Sequence, residues 1–123
     1  IKRTREMIDH EHQVQKAICQ YLDMRGVMYF AIPNGGKRNL IVAKKLKAEG
    51  VKAGVPDICI IHDGMTYFLE VKRPKTDTID KGRLSLTQKA MIERIKEAGA
   101  EVAVVYSVAD VIEQCIEWQM NVL

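Results

Sequence analysis

The segment from Gly54 to Lys75, Gly-Val-Pro-Asp-Ile-Cys-Ile-Ile-His-Asp-Gly-Met-Thr-Tyr-Phe-Leu-Glu-Val-Lys-Arg-Pro-Lys, constrains this chain more than any other stretch. Two apolar runs, Ile58 to Ile61 and Met65 to Leu69, flank Asp63-Gly64, a dipeptide suited to a tight turn between antiparallel strands. A two-residue turn there pairs His62 with Met65, and counting outward from that pair sets Asp57 opposite Glu70. Side chains alternate along a strand, so Lys72 projects from the same face as Glu70. The hairpin therefore gathers two carboxylates and an ammonium at one end.

Directly opposed carboxylates repel, and a fold keeps such a pair when a cation neutralises it or when one member stays protonated. Oxygen-only ligands suit a hard ion such as Mg2+ or Mn2+. A lysine beside that ion can orient or deprotonate a water, or stabilise charge on a phosphate. The plainer alternative is a surface hairpin whose Glu70 and Lys72 are simply solvated.

With 123 residues and a hydrophobic fraction of 47%, the chain reads as one globular domain with a single core. No apolar run approaches the roughly 20 residues that span a bilayer, and the basic start is not followed by a signal-peptide core, so a soluble intracellular protein is expected. Cys19, Cys59 and Cys115 are far apart and form no metal-binding spacing, which suits buried thiols in a reducing compartment. Net charge is +3 but uneven: residues 1–56 hold 11 Lys/Arg against 5 Asp/Glu, and residues 57–123 hold 8 against 11. The basic half is the one suited to a polyanion.

Val14, Ala17, Ile18, Tyr21 and Leu22 recur at helical spacing and predict a first helix from Asp9 to Arg25, stopped at Gly26. Glu11 lies near its beginning, as a helix-dipole partner or as a group reaching what the helix covers. Val27 to Ile32 reads as a strand closed by Pro33-Asn34-Gly35-Gly36. Lys37, Arg38 and Asn39 then lead to a short helix, Leu40 to Glu49, carrying Lys44, Lys45 and Lys47. Gly-rich backbone followed by lysines can hold phosphates, but an exposed loop and a solvated helix face read as readily. Arg73 to Leu84 lacks periodicity and reads as an exposed loop. Ser85-Leu86-Thr87-Gln88 has the form of a capping box for a third helix ending at Ala98, which gives Gln88 a structural task of its own. A valine-rich strand, Glu101 to Tyr106, follows, and this order favours a parallel crossover beside the strand of Glu70. Ser107 caps a last helix running towards Met120, whose wide apolar face calls for deep burial or a partner such as a second copy.

Five pieces in this order, Glu11-x-x-x-Gln15, Asn34-Gly35-Gly36, Gly54-Val55-Pro56-Asp57, Glu70-Val71-Lys72 and Ser85-x-x-Gln88, resemble the VRR-NUC group of the restriction-endonuclease-like, PD-(D/E)xK nucleases. The resemblance covers about residues 9–106 and implies an α/β core, a central mixed four-stranded sheet flanked by helices in the order αβ(α)ββαβα. It also implies divalent-metal-dependent hydrolysis of DNA with Mg2+ or Mn2+, leaving a 5′-phosphate and a 3′-hydroxyl. Asp57, Glu70 and the main-chain carbonyl of Val71 would hold the ion, and Glu11 would complete the site directly or through water. Lys72 would activate or position the attacking water, and Gln88 would orient Lys72 or a phosphate. Asn34, Gly35, Lys37, Arg38, Lys44, Lys45, Lys47, Arg73 and Lys75 are the residues expected along the nucleic acid. Small members of the group, often viral, resemble homodimeric resolvases of branched DNA, which implies Holliday-junction resolution and DNA repair. A flap or single-strand nuclease of the same family, a non-catalytic nucleic-acid-binding module and a structural dimerisation domain are the competing readings. The last leaves the opposed carboxylates unexplained.

Overall fold

The computed structural model describes residues 2–33 and 39–121. Eight elements follow in the order αβαββαβα: α1 (Lys2–Met24), β1 (Met28–Ala31), α2 (Leu40–Ala48), β2 (Ile58–His62), β3 (Met65–Val71), α3 (Leu86–Glu97), β4 (Glu101–Val105) and α4 (Val108–Glu117). The four strands form one sheet in sequence order. The β1–β2 and β2–β3 pairs are antiparallel, and β3–β4 is parallel, as the crossover through α3 requires. This is the mixed, helix-flanked sheet expected from the sequence.

The hairpin turn decides the register. Asp63 and Gly64 adopt φ of 49° and 76°, the two successive positive values that a type I′ turn needs. His62 then faces Met65 and Ile58 faces Leu69, which sorts the side chains onto two faces. Ile58, Ile60, Tyr67, Leu69, Val71, Ala103 and Val105 occupy one face and are buried with Ile18 and Leu22 of α1 and Val111 and Cys115 of α4. Tyr67 also meets Trp118, ring centroids 4.8 Å apart. Cys59, Phe68, Glu70 and Val102 alternate with them and therefore point to the other face.

Helix ends are satisfied by side chains. The Ser85 hydroxyl accepts from the Gln88 amide at 3.1 Å and the Gln88 side chain accepts from the Ser85 amide at 2.9 Å, completing the capping box. Asn39 accepts from the Val42 amide at 2.8 Å, and Ser107 accepts from the Asp110 amide at 3.1 Å.

Three details differ from the sequence expectation. α1 begins at Lys2 rather than near Asp9, because helix propensity carries the chain past the apolar stripe, and Thr4 and Arg5 are exposed there. Of the cysteines, Cys59 and Cys115 are buried, whereas Cys19 is half-buried; all three are free thiols. The 73–84 loop, expected to be exposed, is pinned: Ile79 is buried, Thr76 donates to the Ile79 carbonyl at 2.8 Å, and the Gly82 amide donates to the Arg73 carbonyl at 3.0 Å. Among the described residues no helix is long and apolar enough to cross a membrane.

Gly54 joins the two sides of the fold. A β-carbon there would lie 2.7 Å from the Thr87 carbonyl oxygen, and φ is +82°. Only glycine lets the 53–55 segment lie against the first turn of α3. Gly64 has a similar φ of +76° but open space around it. Gly54→Ala should therefore lose about 1–3 kcal/mol more stability than Gly64→Ala, from overpacking added to backbone strain; urea denaturation of the two variants measures the difference.

Candidate active site

The β2–β3 register, continued one step past Ile58 and Leu69, brings Asp57 and Glu70 together. The Asp57 carboxylate accepts a 2.7 Å hydrogen bond from the Val71 amide, which clamps it across the open end of the hairpin. Its own carbonyl accepts from the Ile32 amide at 2.7 Å, so the residue that follows β1 holds the other side of the same residue. Asp57 is half-buried. Glu70 is only 2% exposed and is the one buried charged residue among those described.

Burial pushes the Glu70 carboxyl up to about 9, and hydrogen bonding to Asp57 and the charge of that neighbour add to the effect; Lys72 opposes it and Glu11 adds a smaller push. The buried position opposite Asp57 therefore favours the protonated form of the Glu70 carboxyl. Glu11 approaches from α1. Its carboxyl is raised mainly by burial, lowered by Lys72, raised by Asp57 and lowered by Arg73, which places it within electrostatic reach of all three.

Lys72 is half-buried and forms no ion pair with the acidic pair. Its Nζ donates to Gln88 Oε1 at 2.9 Å, the same oxygen that accepts from the Ser85 amide. Gln88 thus caps α3 and ties down Lys72 with a single atom. Glycine enters here too, since a β-carbon on Gly82 would press on the Lys72 β-carbon at 3.3 Å. Asp57 and Glu70 open into a cavity of about 370 Å³ walled by Gly54, Val55, Thr87 and Gln88.

The other expected site residues are dispersed. Arg73 stays close to Glu11, with its Nε donating to the Asp80 carbonyl at 3.1 Å. Lys75 is exposed and lies near Asp80, whose carboxyl is held low first by its hydrogen bond from the Lys81 amide. Lys44, Lys45 and Lys47 are exposed on α2. Asn34, Gly35, Lys37 and Arg38 lie outside the described residues. Two cations not singled out from the sequence, Lys52 and Arg94, line a second and larger groove beside the cavity. Arg94 follows Thr87 by seven residues, so the two share a helix face, a signal the sequence did hold.

The donor chemistry fits a hard divalent cation: two carboxyl groups set opposite each other, one of them buried. Among the described residues no three His, Cys, Asp or Glu side chains are gathered as a metal-binding group. Glu11 senses the pair without joining it as a third close ligand.

Residues 3–109 match the VRR-NUC domain family. The chain belongs to that family. No curated protein and no solved structure matches it. Membership of the VRR-NUC family implies a nuclease of the PD-(D/E)xK type, a class that uses a divalent metal and acts on DNA. All the described pieces of the Asp57, Glu70, Lys72 and Gln88 cluster fall inside the matched segment.

The Glu70 carboxyl has a folded-state value raised from the ordinary 4.5 to about 9. The stability this protonation contributes is complete below 4.5 and is lost as pH rises through about 9. In chelator, the wild-type chain should therefore lose thermal stability steadily between those limits, whereas Glu70→Gln should be nearly flat and the more stable of the two at pH 8. Parallel thermal melts at pH 5, 6.5 and 8 measure the difference.

Proposed function

We propose that this chain is a divalent-cation-dependent endonuclease that cuts phosphodiester bonds in branched DNA, acting as a homodimer on four-way junctions. The observation that carries the reading is the buried Glu70 set opposite an Asp57 clamped by the Val71 amide, beside a Lys72 held by Gln88. An isolated surface hairpin has no reason to bury a carboxylate against another. The VRR-NUC match supplies the substrate class.

Asp57, Glu70 and the carbonyl of Val71 would hold Mg2+ or Mn2+, with Glu11 reaching it through water. When bound, the ion supplies charge neutralisation at the scissile phosphate and a lowered pKa for the attacking water. Asp57 contributes a carboxylate whose direction is fixed by the Val71 amide. Lys72 presents its ammonium at the rim, where it can orient the water or stabilise charge developing on the phosphate. Gln88 limits the positions the lysine can sample, which lowers the entropy of reaching the reactive arrangement.

Two copies would provide the two cuts that resolving a four-way junction needs. Support for a second copy comes from the apolar sheet surface left open at β1 and β2, where Met28, Phe30 and Ile61 are 60%, 45% and 42% exposed and point the same way. β1 is also an edge strand.

A cleavage panel of four-way junction, flap, single strand and plain duplex, with Mg2+ and with Mn2+, tests this. The junction should be cut fastest. Asp57→Ala, Glu70→Ala and Lys72→Ala should each lower cleavage by about 100-fold or more with DNA binding retained. Gln88→Ala should lower kcat by about 10-fold. Unchanged cutting by Asp57→Ala sinks the site assignment, and binding without cleavage of any substrate leaves a non-catalytic module.

A further inference from the structure

We infer that the groove between α2 and α3 is the track for the sugar-phosphate backbone of the substrate strand leaving the cut, with Lys47, Lys52 and Arg94 as its phosphate contacts. The inference rests on the nuclease reading above and adds to it a surface that the family match does not assign.

Three observations carry it. The groove, about 620 Å³, is lined by Lys47, Lys52 and Arg94 and by no carboxylate. All three cations are exposed, and none is in an ion pair among the described residues, where Arg83 is the arginine or lysine paired with a carboxylate, that of Asp80. A concave surface of one sign focuses its field on an anion.

The groove also continues into the catalytic cavity, since Ala53 and Thr87 line both. A strand whose phosphate sits at Asp57, Glu70 and Lys72 passes over those two residues and enters the groove directly. The close approach of the 53–55 segment to α3 that Gly54 allows is what joins the two spaces.

The rest of the lining says which part of the strand is held. Its other side chains are aliphatic or small, with no aromatic ring on which a base could stack. Contacts there must be made to phosphate and sugar, which position a strand without reading its sequence. Helical geometry also separates the lysines of α2. Lys47 shares the groove side with Ala43 and Leu46, whereas Lys44 and Lys45 are turned away from it and do not line the groove.

The test compares charge reversals that change net charge equally. Lys47→Glu with Arg94→Glu forms the groove pair, and Lys44→Glu with Lys45→Glu the control pair. Binding of a fluorescent four-way junction is followed by anisotropy in chelator, across a range of salt, and cleavage is followed with Mg2+. The groove pair should bind at least about 10-fold more weakly than the control pair and lose about two from the salt slope. Its KM should rise while kcat is kept. Ala90→Trp, which fills the groove without touching charge, should also raise KM, and circular-dichroism melts establish that each variant is folded. Equal losses in the two pairs, or wild-type binding by the groove pair and by Ala90→Trp, overturn the track while Asp57-dependent cleavage leaves the nuclease reading standing. A wild-type chain that neither binds nor cuts DNA overturns both.

Discussion

The short hydrogen bond from the Val71 amide to the Asp57 carboxylate, 2.7 Å, depends on the β2–β3 register, and the acidic pair depends on that bond. A slip of one residue in the hairpin would turn Glu70 and Lys72 to the opposite face and expose the apolar set that α1 and α4 cover. The core and the site are thus specified by the same turn. Burial of Ile58, Ile60, Leu69 and Val71 resists the slip, and the Asp63-Gly64 conformation selects the register locally.

The helices then supply what a hairpin cannot. α3 caps itself with Ser85 and Gln88, and the oxygen that completes the cap also receives the Lys72 ammonium. Local helix stability and the position of the Lys72 side chain are coupled through one atom. Glu11 comes from α1, on the layer that buries the main core, and feels the charges of Lys72, Asp57 and Arg73. The site is therefore shared among a hairpin and two helices, with Gly54 holding the third helix close enough for the cavity to close.

Much of this is written in short-range sequence signals. The hairpin, the capping box and the helix caps at Asn39 and Ser107 use residue types whose geometry is local, so their positions are readable within a residue or two. The buried state of Glu70 is not local. It follows from the packing of β3 between two strands with helices on either side, and only the fold shows that its carboxyl is pushed up rather than solvated. The anchoring of the 73–84 loop is equally hidden, because it turns on two buried residues, Ile79 and Gly82, in a run that otherwise looks solvent-facing. Lys52 and Arg94 are 42 positions apart in sequence and share a groove only because the segment that follows α2 and the helix α3 both wall it. Periodicity places Arg94 on a helix face but cannot say what that face meets.

The central claim is that Glu70, buried opposite Asp57, holds a proton that a divalent cation would displace. Calorimetric titration of Mn2+ into the wild-type chain at pH 7, repeated in buffers of different ionisation enthalpy, measures that exchange directly. Binding should release about one proton per site, and Glu70→Gln should abolish the release. Tight Mn2+ binding with no proton released, or with the same release from Glu70→Gln, would contradict the account.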